Sequence, residues 1–332
     1  KVDQIIQEYE KKSANEQQST VKQYPNIITV VNETFADIKV LGDFKTNEDY
    51  MPYFHSLKKN CVTGYTYASI VGGQTANTEF ELLTGNTLGF LSAGTTAFQL
   101  YIHGQMPSLV SNLKAEGYSG NKAMHPFNPY NYNRPAVYKD FGFTDFIDKF
   151  DFPKNVKRVR EYISDEANVD RIISEYEKNR KKTDQPFYMY NMTIQNHSPY
   201  DKDAANFKQP IKIESSKYDA EANRYLNLIK YSDDSLKQLT SYFEKCKEPT
   251  IILFLGDHQP RLTDEFMNKI TNGQYQTWSS EQMMKRYQVP FVIWANYDIK
   301  EQHIEKTSMN YIQSILTKTA GVKMTGYQRF FK

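Results

Sequence analysis

Three apolar runs in this chain end on side chains able to bind a cation. Asn26-Ile-Ile-Thr-Val-Val31 leads into Asn32 and Glu33, Phe187–Ile194 into Gln195, Asn196 and His197, and Thr250–Leu255 into Gly256, Asp257 and His258. Taken singly, each has an ordinary explanation: support for a helix start, a loop histidine, a cap. Their recurrence at equivalent places carries more weight. In open α/β sheets, chemistry gathers beyond the carboxyl ends of the strands. Carboxylates joined by imidazole form a hard-to-borderline donor set, suited to Mn²⁺, Mg²⁺ or Zn²⁺.

A fourth segment, Val71-Gly-Gly-Gln-Thr-Ala-Asn-Thr-Glu-Phe-Glu-Leu-Leu-Thr84, supplies a nucleophile. Two glycines followed by a hydroxyl residue and a helical apolar pattern predict a helix N-terminus at Thr75, where free N–H groups and the dipole favour an anion. A threonine hydroxyl is a weak nucleophile alone, and a coordinated cation favours its alkoxide. By itself, Gly-Gly-x-Thr is also a common way to begin a helix.

The elements that must position these groups are legible as an alternation. Short apolar runs (the three above and Phe291–Ala295) are separated by helix-period stretches at Met106–Glu116, Asp165–Lys182, Ala220–Lys245 and Glu281–Tyr287. Strands alternating with longer helices predict an α/β fold with a largely parallel central sheet and helices on both faces. An edge strand and a closing helix near Asn310–Thr317 are expected after Pro290. Residues 1–24, rich in Gln, Glu and Lys with a stripe of Val2, Ile5, Ile6 and Tyr9, read as a polar helix or tether ahead of a single catalytic domain over 25–332. A chain starting at Lys1 without a signal-peptide pattern is expected to be cut from a longer protein.

Composition narrows the classes. With 41 basic and 39 acidic residues the net charge is +2, without the basic surplus of a dedicated nucleic-acid binder. The longest strongly apolar run, Ile251–Leu255, cannot span a bilayer as a helix. Aromatic residues make up 14% of the chain, and most are expected in the core, with a membrane-facing rim as the lesser use. Cys61 and Cys246, 185 positions apart, form neither a disulfide framework nor a zinc motif and read as two free thiols.

In the order Glu33, Thr75, Asp257-His258 the chain resembles the sulfatase-like branch of the alkaline phosphatase superfamily, and within it the lipoteichoic acid synthases. The resemblance rests on Asn26-Ile-Ile-Thr-Val-Val-Asn-Glu-Thr-Phe, Gly73-Gln-Thr-Ala-Asn-Thr-Glu-Phe, Asn133-Arg with Tyr138-Lys-Asp-Phe-Gly-Phe, Asn196-His-Ser-Pro-Tyr and Gly256-Asp-His-Gln-Pro. It implies an alkaline-phosphatase/sulfatase-like fold, with Glu33, Thr75, Asp257 and His258 as metal ligands and Thr75 as the nucleophile. His125, Arg134 and His197 match residues that hold the phosphoglycerol group. Tyr132 stands where those enzymes carry tryptophan, which keeps the ring and loses the indole N–H. The Cys/Ser-x-Pro-x-Arg setting of true sulfatases is replaced by Thr75-Ala-Asn-Thr-Glu. With six histidines in the chain, a His-rich second metal site is poorly supplied and one divalent ion, Mn²⁺ ahead of Mg²⁺ or Zn²⁺, is expected.

The activity so implied is transfer of glycerol phosphate from phosphatidylglycerol, through a glycerophospho-threonine, to a glycerophosphate polymer, glycolipid or wall polysaccharide. The resemblance also implies an extracellular domain of Gram-positive type, held to the cell membrane by an N-terminal transmembrane region. The alternatives are a phosphoethanolamine transferase, a phosphodiesterase or phosphatase using water, and an inactive module that binds glycerophosphate polymers.

Overall fold

The computed structural model describes residues 2–15, 23–214 and 219–330. Among the described residues there are ten strands: β1 (Asn26–Asn32), β2 (Cys61–Tyr67), β3 (Ser119–Met124), β4 (Asp145–Ile147), β5 (Arg158–Val159), β6 (Tyr162–Ile163), β7 (Phe187–Met192), β8 (Thr250–Gly256), β9 (Gln288–Ala295) and β10 (Gln302–Ser308). Eight form one sheet in the order β10-β2-β9-β8-β1-β7-β3-β4, and β5 and β6 make a separate hairpin. Only β9 runs against its neighbours, β2 and β8. The other pairings are parallel, as the alternation of runs and helices predicts.

The central strands are buried on both faces, so they read as unbroken apolar runs. Alternate residues still go to different cores. Ile28 and Val30 of β1, with Ile252 and Phe254 of β8, pack beneath helices Asp165–Arg180 and Ala220–Phe243. Ile27 and Val31, with Ile251, Leu253 and Leu255, face Ala76, Phe80 and Leu83 of helix Thr75–Thr84 and Ile312 and Leu316 of helix Ile312–Thr319. The expected edge strand and closing helix are β10 and Ile312–Thr319.

Two expectations shift in detail. The helix expected from Met106 begins at Leu109, because Ser108 caps it reciprocally with Ser111. The stretch Glu281–Tyr287 is a short helix, Ser280–Met284, followed by a 3₁₀ turn.

Val2–Asn15 is a helix docked against helix Gly326–Phe330, with the Tyr9 and Phe330 rings edge-to-face at 5.7 Å. A Cβ on Gly326 would lie 2.6 Å from Glu10, so the glycine permits the approach. Residues 16–22 of the expected tether lie outside the described residues. Cys61 and Cys246 are free thiols. Among the described residues, no helix is long and apolar enough to cross a membrane.

Candidate metal and phosphate site

Register builds the floor of the site. Parallel pairing sets Asn32 of β1 opposite Gly256 of β8, so Glu33 and Asp257 leave the sheet side by side. Gly256 is required there: a Cβ would sit 1.8 Å from the Phe35 carbonyl oxygen. Thr34 turns the chain in the left-handed region, φ 53°, and donates its N–H to Asp257 Oδ1 at 2.6 Å. Its hydroxyl donates to Glu33 Oε1 at 2.7 Å, while the Glu33 N–H is held by Thr193 Oγ1 at 3.0 Å.

These bonds leave part of the floor unfinished. Asp257 Oδ2 and His258 Nε2 are buried without a hydrogen-bond partner, 3.2 Å from each other. Glu33 Oε1 lies 3.7 Å from the same nitrogen. One ligand atom each from Glu33, Asp257 and His258 falls within 4.8 Å of the others. His258 Nδ1 faces the Gln259 carbonyl at 3.0 Å, which assigns the proton to that nitrogen and leaves Nε2 as a lone-pair donor. Burial, with Asp257 alongside, pushes the Glu33 carboxyl up to about 7. Burial pushes Asp257 up to about 7 and draws His258 below the usual imidazole range. Unpartnered donors that resist charging are a good fit for a divalent cation, which satisfies both orphans and stabilises the ionised carboxylates.

Thr75 is the first residue of its helix, behind three residues with positive φ: Gly72 (68°), Gly73 (147°) and Gln74 (63°). This loop aims the helix N-terminus at the floor, and Thr75 Oγ1 lies 3.4 Å from Glu33 Oε2. All ten residues of the helix are buried. Thr78 donates to the Asp257 carbonyl at 2.7 Å, locking the nucleophile's helix to the strand that carries the ligands.

One turn further, Glu79 accepts from Arg134 Nε at 3.1 Å and Nη2 at 2.6 Å. Its other oxygen accepts from Tyr138 and, at 3.1 Å, from Tyr190. The Nε and Nη2 groups of the Arg134 guanidinium are thus already held by Glu79. Arg134 still lines the pocket, with the Tyr132 ring 5.2 Å from its guanidinium carbon. His125 is buried at the end of β3, Nδ1 3.0 Å from the Met192 carbonyl, and burial with Arg134 nearby holds its pKa well below normal. His197 is half-buried, Nδ1 2.7 Å from the Ser198 carbonyl, its ring stacked 6.4 Å from Phe127. Glu33, Thr75, His125, Tyr132, Arg134, His197 and His258 line one cleft of about 310 Å³, and Asp257 lies beneath it. All eight residues singled out in the sequence therefore meet at one site.

A family model for the sulfatases matches residues 25–322. The chain belongs to the sulfatase family. Among curated relatives, a Rhizobium meliloti protein named for cyclic β-1,2-glucan modification is 32% identical over 314 residues, covering 92% of this chain and 47% of that protein. A lipoteichoic acid synthase-like protein of Bacillus subtilis is 27% identical over 237 residues, 70% of this chain and 36% of that protein. The chain thus spans half or less of the length of these relatives. Among solved structures, the Streptococcus pyogenes phosphoglycerol transferase GacH, in complex with sn-glycerol-1-phosphate, superposes with a TM-score of 0.81 at 20% identity, covering 98% of this chain and 83% of that one. The resemblance drawn from the five motifs holds in both sequence and fold.

Within this sulfatase-family site, several residues escaped the sequence reading. Glu79, four residues after Thr75 on the same helix, carried no signal beyond that spacing. Gln99, Phe127 and Asn131 line the cleft from a one-turn helix, a loop and a 3₁₀ turn, segments too short for periodicity to mark them. Behind the floor, Asp165 accepts from Asn32 at 2.7 Å and Ser232 at 2.6 Å, and its N–H is held by Gln195 at 3.0 Å. The strand-end residues Asn32 and Gln195 thus serve a buried network rather than the cleft.

Proposed function

We propose that this chain is the catalytic domain of a divalent-metal-dependent phosphoglycerol transferase. It would move glycerol phosphate from phosphatidylglycerol to a hydroxyl of a cell-envelope glycopolymer, glycolipid or lipoteichoic acid. The observation that carries the reading is a threonine hydroxyl at a helix N-terminus, 3.4 Å from a carboxylate, beside a buried aspartate oxygen and imidazole nitrogen with no protein partner. Glu33, Asp257, His258 and Thr75 would hold the metal, Mn²⁺ in first place. When bound, that ion supplies Lewis acidity, favouring the alkoxide and screening phosphate oxygens.

The protein's own groups account for the remaining chemistry. Thr75 Oγ forms a bond to phosphorus as the bond to the diacylglycerol oxygen breaks, and its proton has Glu33 Oε2 as the nearest acceptor. Helix N–H groups at Thr75 and the Arg134 guanidinium stabilise negative charge on the phosphoryl oxygens. His197, its Nδ1 facing the Ser198 carbonyl, would accept a substrate hydroxyl at Nε2, and the departing diacylglycerol oxygen takes its proton from solvent. An acceptor hydroxyl then displaces threonine by the reverse path. Thr75 stands in place of the Cys or Ser of the sulfatase motif, which favours phosphoryl over sulfuryl chemistry. Among the residues lining the cleft, Glu33 is the sole carboxylate, so a phosphoethanolamine ammonium finds no acidic partner beyond the metal ligands. By the family resemblance, the domain would work at the outer face of the cytoplasmic membrane.

Intact-protein mass spectrometry after incubation with phosphatidylglycerol and Mn²⁺ tests the reading. A glycerophosphate adduct on the native chain and none on Thr75→Ala is expected. No adduct on metal-loaded native protein excludes phosphatidylglycerol as donor, and an adduct from phosphatidylethanolamine instead would establish the ethanolamine alternative.

A further inference from the structure

Five of the eight large hydrophobic side chains that stand exposed among the described residues belong to short turns and helix ends around the cleft. Phe90 is 93% exposed, Tyr130 79% and Phe150 74%, with Leu100 and Tyr101 each more than half exposed. None of them lines the cleft, but Leu100, Tyr101 and Tyr130 lie next to residues that do. Leu100 and Tyr101 follow Gln99, and Tyr130 precedes Asn131 and Tyr132. Phe90 sits between Leu88 and Leu91, which share a neighbouring hollow with Gln74 of the nucleophile loop. The Lys149 ammonium lies 4.9 Å from the Phe150 ring and 5.9 Å from that of Phe127, a lining residue, joining this lip to the cleft.

Exposed aromatics on separate loop tips are costly in water, and three such rings flanking one opening mark an interaction surface. Charge on the same lip indicates the partner. From Lys149 to Arg160 the chain carries five basic residues (Lys149, Lys154, Lys157, Arg158 and Arg160) against one acid, Asp151, with Asp148 and Glu161 at its two ends and Lys157 paired with Glu166. Arg160 is anchored at the cleft through the His197 carbonyl at 2.7 Å. Rings with an apolar body, interleaved with lysines on flexible stems, suit the boundary between lipid headgroups and acyl chains. A basic flank adds attraction to an anionic leaflet. A protein seated across all of these tips would close the cleft; a bilayer seated there would feed it.

We infer that Phe90, Leu100, Tyr101, Tyr130 and Phe150, with the basic segment 149–160, form a membrane-contact rim that sets the mouth of the site onto an anionic lipid surface. The inference rests on the lipid-donor reading for its purpose. Its physical content, reversible bilayer binding by this chain, stands apart from it. The rim would let the site take a donor headgroup without the lipid leaving the bilayer.

The test is sedimentation of the chain with vesicles of phosphatidylcholine alone or with 30% phosphatidylglycerol, compared with the triple variant Phe90→Ser/Tyr130→Ser/Phe150→Ser. Binding to the anionic vesicles is expected, with at least about a tenfold loss of partition in the variant. A second variant, Lys149→Gln/Lys154→Gln, should lose several-fold on anionic vesicles and little on neutral ones. In parallel, turnover of a short-chain, monomeric phosphatidylglycerol should be equal in wild type and triple variant, while turnover of vesicle lipid falls with binding. Equal sedimentation of wild type and triple variant would overturn the rim. Binding that depends on the rim, with no turnover of either lipid form, would retain the rim and remove the donor assignment instead.

Discussion

Two buried polar clusters lie one helical turn apart, and they are finished in opposite ways. Around Glu79 every polar contact closes within the protein: both carboxylate oxygens are taken by Arg134, Tyr138 and Tyr190. Around Asp257 they do not, and Asp257 Oδ2 and His258 Nε2 remain without a partner. Both clusters are almost inaccessible, so exposure cannot explain the contrast. The first cluster positions Arg134: its carboxylate is fully paired, while the guanidinium still borders the cleft. The second is stored cost, tolerable only if something external completes it. Function is legible in what the fold leaves undone.

The contrast can be broken or sharpened by substitution. Thr75→Ala should have the largest effect, lowering transfer by about 10⁴-fold or more while leaving the melting temperature within a few degrees, read by lipid turnover and thermal denaturation. Glu79→Ala should act the opposite way, destabilising by about 3–5 kcal/mol in urea titration because it strands a buried guanidinium. If Glu79→Ala proved neutral for stability, the view of that cluster as self-contained would fail.

Asp257→Asn should weaken Mn²⁺ binding about 10²-fold by calorimetry, yet cost the metal-free chain no stability at pH 8. A pH effect follows from the same cluster. Glu33 and Asp257 are both pushed up to about 7, above their unfolded values near 4. Raised values mean that the native state holds protons more tightly than the unfolded one. In the metal-free protein their contribution is therefore full below about pH 4 and is lost as pH rises through 7. Melting scans at pH 5 and 8 should show this loss, and Mn²⁺ should reverse it at pH 8 and do little at pH 5. The smallest change expected is from Tyr132→Trp, which keeps the ring over Arg134 and should move KM by less than about threefold.

Much of the frame was legible because burial on both faces leaves an unmistakable apolar run, as in β1, β7 and β8. β2 and β3, which lack that signature, were not read. β2 (Cys-Val-Thr-Gly-Tyr-Thr-Tyr) is interrupted by Gly64, and β3 (Ser-Gly-Asn-Lys-Ala-Met) is largely polar. Each takes its strand identity from neighbours in the sheet, a tertiary cause that local pattern does not record. The same divide holds in the site. Glu33, Asp257 and His258 follow directly from strand ends, and Thr75 from a glycine pair ahead of a helix. His125, Tyr132 and Arg134 came through resemblance alone, and Glu79 escaped altogether, because a carboxylate inside a helix looks like solvated surface until its partner 55 residues away is found.

Helix Thr75–Thr84 also works as a ruler. Thr75 and Glu79 are four residues apart, about 6 Å along the axis at ~1.5 Å per residue, so one turn of backbone fixes the spacing between the attacking oxygen and the anchor of Arg134. A ruler of this kind can be re-marked but not lengthened. Side chains along it can be exchanged one at a time, whereas a single inserted or deleted residue between positions 75 and 79 would swing Glu79 by about 100° and separate the two ends of the site at once. Sequence drift in this chain should therefore proceed only by substitution within these five positions.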